Sequence, residues 1–332
     1  MRLLITGGMG FMGSSFVRYM LKKYPQIQII NLDKLTYAGN PENLADIQTK
    51  RYKFVKGDIC DQKLVRKIAK QVDVIINYAA ETHVDRSILE PDAFIKTDVL
   101  GTYTLLEASR EFKIKKYIQI GTDEVFGAIT KGSSNENYPF EPNSPYSASK
   151  AGADHLIRAY YITYGVPTIR TNACNNYGPY QYPEKLIPLF ITNLLEKKKV
   201  PVYGRGDQIR EWIYVLDHSK AIDLILKKGK PGEAYNIGTG ERKKNIEVTE
   251  TILNSLNLDK KMVEYVKDRP GHDARYALNS NKIQNELGFK PKYKFREGIQ
   301  ETIKWYQNNQ TWWKKIKSGK FKNYYNKQYQ KR

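Results

Sequence analysis

Thr122-Asp123-Glu124 is followed, 22 residues after the glutamate, by Tyr146-Ser147-Ala148-Ser149-Lys150. A phenol and an ammonium four residues apart share one helix face. The neighbouring positive charge favours the phenolate and is expected to draw the tyrosine pKa towards neutrality. Such a tyrosine can take a proton from an alcohol as hydride leaves the same carbon. The Asp-Glu pair adds a second acid–base function. Adjacent carboxylates in a cleft divide, through burial and repulsion, into one charged and one protonated group. Alone, each signal is weak: Tyr and Lys at this spacing occur by chance in many helices, and an acidic pair is ordinarily a solvated loop.

Hydride chemistry needs a carrier, and the chain opens with a site for one. In Thr6-Gly7-Gly8-Met9-Gly10-Phe11-Met12-Gly13-Ser14 the glycines at 7, 10 and 13 fall between an apolar run and a helical pattern. The first glycine permits the tight turn, the second lets backbone approach a pyrophosphate, and the third lets helix pack on strand. The helix N-terminus then offers amide donors to phosphate. Asp33 lies 20 residues after Gly13, at the end of the next apolar run. A carboxylate there hydrogen-bonds a ribose 2′-hydroxyl and repels a 2′-phosphate, which selects NAD over NADP. Lys34 beside it is the one residue that would soften that choice. Asp58-Ile59 follows the third strand and could hold the adenine, and Asn77-Tyr78-Ala79-Ala80 follows the fourth, with small residues that let a dinucleotide lie close.

The elements that must position these groups alternate between strand and helix. Strands are expected at Arg2–Thr6, Ile27–Leu32, Lys53–Val55, Val72–Asn77, Lys116–Ile120 and Pro167–Thr171. Helices are expected at Phe11–Lys23, Asp61–Gln71, Asp92–Phe112 and Tyr146–Tyr164. This alternation predicts an α/β fold, a Rossmann-type doubly wound parallel sheet covered on both faces. After about residue 175 prolines and glycines multiply and the texture becomes mixed. A smaller mixed α/β substrate lobe is therefore placed at 175–211 and 241–315, the NAD-binding domain at 1–174, and residues 212–240 are read as returning to that first domain. A late helix is expected at Gln300–Asn309.

The chain of 332 residues can bury a sizeable core, and its 25 tyrosines exclude a disordered polymer. Cys60 and Cys174 fit no metal spacing, and His83, His155, His218 and His272 are scattered, so no metal is expected. The two thiols read as free in a reducing compartment, and no stretch has signal-peptide or membrane-spanning length, which points to a soluble cytoplasmic protein. The formal net charge is +20, of which the eight basic residues of Lys314 to Arg332, with no acidic one, supply +8. The tail, 316–332, is read as a solvated basic terminus rather than a nucleic-acid site, although Phe321, Tyr324, Tyr325 and Tyr329 lie among its lysines.

Further stretches carry a resemblance: Ala79-Ala80-Glu81-Thr82-His83-Val84-Asp85-Arg86-Ser87, Thr122 to Gly127, Asn175-Asn176-Tyr177-Gly178-Pro179, Glu184-Lys185-Leu186-Ile187-Pro188 and Arg269-Pro270-Gly271-His272-Asp273. Over residues 1 to about 310 the chain resembles the extended short-chain dehydrogenase/reductases, and among them the nucleoside-diphosphate-glucose 4,6-dehydratases of the RmlB type. The Asp-Glu dyad is the specific part. Related epimerases share the fold and the Tyr/Lys pair but lack it.

The resemblance implies roles. Tyr146, assisted by Lys150, would remove the O4 proton of the hexose while NAD takes the C4 hydride. Thr122 would bond O4, Glu124 would take the C5 proton, and protonated Asp123 would donate to the leaving C6 hydroxyl. NAD would be held by Gly7, Gly10, Phe11, Met12, Gly13, Asp33, Lys34, Thr36, Asp58, Ile59, Ala79, Ala80, Thr97, Tyr146, Lys150 and Asn176. A nucleotide sugar would be held by His83, Thr122, Asn175, Lys185, Leu186, Pro201, Tyr203, Arg210, Asn245, Arg269 and His272. A homodimer is implied, formed by the helices Asp92–Phe112 and Tyr146–Tyr164, with Leu105, Leu106, Ile157 and Tyr161 on the paired faces.

The chain departs from that pattern at Gly121, Phe126, Ala173-Cys174 and Asp98, where the family usually has Ser, Tyr, Cys-Ser and Asn. Gly121 and Ala173, being small, are expected to widen the C2 side of the sugar pocket. The substrate range is thus dTDP- or UDP-glucose, or UDP-N-acetylglucosamine, the last also with coupled 5-epimerisation. A C4 epimerase of the same fold is the alternative within enzymes, and a nucleic-acid-binding protein using the tail is the alternative outside them.

Overall fold

A computed structural model describes residues 1–318 and Tyr325. The expected basic tail therefore lies almost wholly outside the described residues. Twelve strands are described: β1 (Arg2–Thr6), β2 (Gln28–Asp33), β3 (Tyr52–Lys56), β4 (Val74–Asn77), β5 (Lys116–Thr122), β6 (Thr168–Ala173), β7 (Asn175–Tyr177), β8 (Val200–Tyr203), β9 (Ile209–Tyr214), β10 (Ala234–Ile237), β11 (Arg242–Lys244) and β12 (Val263–Val266).

Seven of them form one parallel sheet in the order β10-β6-β5-β4-β1-β2-β3. Strand side chains alternate between its faces. Leu3, Ile5, Ile76 and Ile118 face Phe16, Val17 and Met20 of the helix Phe11–Lys23, together with Ala221, Ile222 and Ile225. Leu4, Ile75 and Tyr117 face Leu105, Leu106, Ile157 and Tyr160 on the opposite side. Strand order reverses between β1 and β4, and the crevice beyond the carboxyl ends at such a switch point is where open α/β sheets bind ligands.

Leu105, Leu106 and Ile157 are thus core residues, not members of a paired outer face. Apolar periodicity on a helix covering a sheet marks the inward face first. The exposed apolar residues of the same layer are Ile95, Leu100, Tyr103, Ile162 and Tyr164. The expected helix Asp92–Phe112 is one helical run with a π-helical stretch, Ile95–Leu100, between Pro91–Phe94 and Gly101–Glu111.

The later chain builds a second core around Tyr177, Phe190, Trp212, Ile252, Ile299 and Trp313. It carries a three-stranded sheet, β11-β9-β7, and a two-stranded one, β12-β8. Residues 212–240 divide between the lobes. Strand β9 belongs to the small sheet, whereas the helix Val215–Lys228 packs beside Phe11–Lys23 and β10 closes the large sheet. The late helix runs from Phe295 to Asn308 and is followed by Gln310–Ser318.

Candidate active site

Each strand of the large sheet delivers part of the site at its carboxyl end. After β1, Gly7 has φ +66°, and a Cβ there would lie 2.6 Å from the Ala79 backbone nitrogen. A Cβ on Gly13 would meet the Gly7 carbonyl at 2.4 Å. Both positions therefore need glycine. Gly10 caps the helix Phe11–Lys23 with no side-chain bond, which leaves the first-turn amides for an anion. At the end of β2, Asp33 accepts from the Met9 amide (2.9 Å) and the Leu35 amide (2.8 Å). Burial raises its carboxyl, against the lowering by those two bonds. Lys34 is directed elsewhere: its ammonium pairs with Asp58 at 2.7 Å.

These groups surround a cavity of about 270 Å³. Every residue expected to hold the cofactor lines it, from Gly7 to Asn176, and so does Thr122. A second cavity, of about 150 Å³, opens beside it. All the residues expected on the substrate except Thr122 line this second space. The walls meet at Glu124, Asn175, Glu184 and Lys185, which belong to both. Seven buried atoms have no hydrogen-bond partner among the described residues and belong to lining residues: Tyr78 Oη, Asp123 Oδ2, Asn176 Oδ1, Gln181 Oε1, Trp212 Nε1, Asn245 Oδ1 and Arg269 Nε. Buried polar atoms are rarely left unpaired without a reason, and a polar ligand in these cavities would pair them. The glycine cradle, the uncapped helix start and the Asp33 carboxylate together fit a dinucleotide.

The reactive groups sit where the cavities join. Thr122 ends β5 and accepts from the Glu124 amide (3.3 Å), which starts the short turn Asp123–Phe126. The helix Pro145–Tyr164 begins with Pro145 and a reciprocal Ser144/Ser147 capping box. That start fixes Tyr146 in the first turn and Lys150 one turn later. The Lys150 ammonium donates to the Ile120 carbonyl at 2.8 Å.

The tyrosine differs from expectation. Its pKa is raised well above the usual value, by burial first and then by the Glu124 and Asp98 carboxylates, with a Thr122 hydrogen bond opposing. The direction of that shift keeps the phenol protonated at neutral pH.

The dyad is unequal. Burial raises Asp123 well above its usual value, and Glu124 and Glu211 raise it further. Burial raises Glu124 too, but Arg269, Arg210 and Lys185 oppose the rise. Arg269 is tethered by Asp85 at 3.3 Å, and Asp85 also accepts from the Tyr203 hydroxyl at 3.1 Å. Lys185 donates to the Thr82 carbonyl at 2.5 Å. His272 Nδ1 lies 2.6 Å from Asp268, yet burial, then Arg269, lower its pKa to about 4. His83 is likewise held neutral, by burial and then by Lys185 and Arg269.

Sequence reasoning left Glu81, Asp85 and Glu184 without roles, although all three stand inside the stretches that carry the resemblance. Glu81 lines the first cavity, and burial and Asp98 raise it to about 7. Asp98 comes from the π-helical stretch, accepts from Ser149 (2.8 Å) and the Glu81 amide (3.1 Å), and is raised by burial to about 6. Nothing in the sequence signalled that these two carboxyls meet.

Gly121 and Ala173, expected to widen the C2 side of the sugar pocket, lie beside the reactive groups in the first cavity. A Cβ on Gly121 would lie 2.3 Å from the Thr171 carbonyl, in the neighbouring strand, so the missing side chain points along the sheet. Gly121 and Ala173 line the first cavity, not the second. No group of three or more His, Cys, Asp or Glu among the described residues could hold a metal.

The family model described as GDP-mannose 4,6 dehydratase matches residues 4–302. A dTDP-glucose 4,6-dehydratase of Streptomyces niveus is 49% identical over 323 residues, covering 96% of each chain. The crystal structure of DesIV, a dTDP-glucose 4,6-dehydratase from Streptomyces venezuelae with NAD bound, is 48% identical with a TM-score of 0.93, over 95% of this chain and 100% of that one. The dTDP-glucose 4,6-dehydratase of Bacillus anthracis in complex with NAD is 50% identical with a TM-score of 0.90, over 95% and 99%.

Proposed function

The chain belongs to the GDP-mannose 4,6-dehydratase family, within the extended short-chain dehydrogenase/reductases, and from that premise we propose that it is an NAD-dependent dTDP-glucose 4,6-dehydratase. The observation that carries this reading is the unequal Asp123–Glu124 dyad, its aspartate buried, at the junction of a dinucleotide-shaped cavity and a cation-lined one. A C4 epimerase has no use for a protonated carboxyl held there.

NAD, when bound, supplies a reversible hydride acceptor. The chain's own residues move the protons. Tyr146 acts as a base only after its own proton has passed to solvent: Lys150, anchored on Ile120, offsets the phenolate charge, and the phenolate then takes the C4 hydroxyl proton. Thr122 orients that hydroxyl from the end of β5. The resulting ketone acidifies C5, and Glu124 removes its proton. Asp123, the more strongly protonated carboxyl, gives its proton to the departing C6 hydroxyl, which leaves as water. Arg210, Arg269 and Lys185 supply positive charge to the diphosphate, and arginine forks match its oxygens. Incubation of the purified protein with dTDP-glucose, UDP-glucose and UDP-N-acetylglucosamine tests the reading. The dTDP-4-keto-6-deoxy sugar should dominate by mass and NMR; absence of any 4-keto product sinks it.

The protein acts as a homodimer in the cytoplasm on this reading. Ile95, Leu100, Tyr103, Ile162 and Tyr164 leave an apolar surface on two helices of one layer that a symmetry mate would cover. Among the described residues, no helix is long and apolar enough to cross a membrane. Sedimentation should give a dimer at micromolar concentration, and Leu100→Glu with Ile162→Glu should give monomers. A monomeric wild type would exclude the dimer.

A further inference from the structure

The glycine loop is gripped from outside the cavity as well as from within. The Met9 amide is held by Asp33. The Met9 carbonyl accepts from the Asn40 amide at 3.0 Å and from Asn43 Nδ2 at 2.8 Å. Asn43 is 1% exposed and lies on the short turn Pro41–Leu44. Its Oδ1 accepts from the Trp312 indole at 3.1 Å, and its backbone carbonyl accepts from Arg18. Trp312 belongs to the helix Gln310–Ser318, which packs in the core of the small lobe. One residue along from Asn43, Glu42 pairs with Lys315 of that same helix. A single side-chain amide therefore ties the last described helix of one lobe to the phosphate loop of the other.

The chemistry of this bridge is restrictive. An indole N–H only donates, and a peptide carbonyl only accepts. A neutral amide satisfies both at once. A carboxylate at 43 could still accept from Trp312 but would face the Met9 carbonyl with a like partial charge. An alkyl group would leave the buried Trp312 indole unpaired and take from the Met9 carbonyl one of its two donors. Neither Asn43 nor Trp312 lines either cavity, so neither can act by touching a ligand.

We propose that Asn43 is a positioning residue for the cofactor, with Trp312 as its anchor, so that the small lobe fixes the loop that retains the dinucleotide during turnover. The inference rests on the reading that this loop holds NAD. Retention matters because hydride leaves and returns within one cycle, and a cofactor lost between those steps leaves the enzyme inactive.

The test uses full-length Asn43→Asp and Trp312→Phe, freed of co-purified NAD. Calorimetry should show NAD affinity lowered on the order of tenfold in each, as expected for one buried bond lost. Affinity for dTDP should be unchanged. KM for added NAD should rise while kcat at saturating NAD is retained. Without added NAD, progress curves should bend over and recover when NAD is supplied. The Asn43→Asp defect should shrink at acid pH, where a protonated carboxyl can donate to Met9 again. Unchanged NAD affinity in both variants overturns the proposal. So does an equal loss of NAD and dTDP affinity with a lowered Tm, since that marks a merely structural bridge. A wild type that binds no NAD overturns the cofactor reading itself.

Discussion

The Lys150 ammonium donates to the carbonyl of Ile120, two residues before Thr122. The helix that carries the Tyr146/Lys150 pair is thereby pinned to the strand that carries the dyad, and the two halves of the chemistry share one anchor. The resting phenol is protonated because burial, and then the Glu124 and Asp98 carboxylates, raise its pKa. Phenolate formation thus depends on Lys150 more than it would at a solvated tyrosine. Lys150→Met should lower kcat about 10²- to 10⁴-fold, and Tyr146→Phe by at least as much. A stopped-flow record of reduced-nicotinamide absorbance checks this, and an intact signal in Tyr146→Phe excludes it as the base.

The dyad variants should separate the steps. Glu124→Gln should still oxidise C4 but fail to exchange the C5 hydrogen in deuterated water. Asp123→Asn should exchange C5 and stall before water leaves. Normal product formation by Glu124→Gln would refute the assignment.

Asp33 braces the loop through Met9 and Leu35 besides facing the cavity. Asp33→Ala should weaken NAD and narrow its preference over NADP, because the carboxylate that repels a 2′-phosphate is gone. With Lys34 occupied by Asp58, the wild type should favour NAD strongly. Equal affinities for the two cofactors in the wild type would show that Asp33 does not read the ribose.

Asp154 is a stability liability. It is buried, neither carboxylate oxygen has a hydrogen-bond partner among the described residues, and burial raises its pKa to about 6 against the lowering by Arg170 and Lys150. A carboxyl raised on folding binds its proton more tightly in the folded state, so its contribution is present below its unfolded pKa and is lost as pH rises through about 6. The shift corresponds to about 3 kcal/mol at neutral pH. Denaturant unfolding of Asp154→Asn should show a gain over wild type that is larger at about pH 8 than at about pH 5, a window set by this linkage. A gain independent of pH would rule out ionisation as the cause.

The glycine loop, Asp33 and the strand-ending Thr122 were legible because each depends on local spacing along the chain. The meeting of His83, Arg210 and Arg269 around one cavity was legible only through the resemblance, since their segments are brought together by β9, the small sheet and the loop before Tyr276. The π-helical stretch at Ile95–Leu100 was not legible, because one added residue in a turn leaves an apolar pattern that still reads as α-helix. Periodicity misassigned Leu105, Leu106 and Ile157 for a similar reason: it shows that a face is apolar but not which neighbour covers it. The direction of a missing side chain at Gly121 depends on the pairing of β5 with β6, which no single stretch contains.

Arg269, Arg210 and Lys185 keep Glu124 a weaker base, since all three oppose its rise. A diphosphate seated among them would compete for the same positive charge, and its own negative charge would add to the rise. Glu124 would therefore become more basic as the substrate arrives, a proton acceptor armed by its own cargo. The acid limb of kcat, which reports the loaded enzyme, should then lie at higher pH than the acid limb of kcat/KM, which reports the free one. Coincident limbs would mean that the three cations serve only the diphosphate and leave the base untouched.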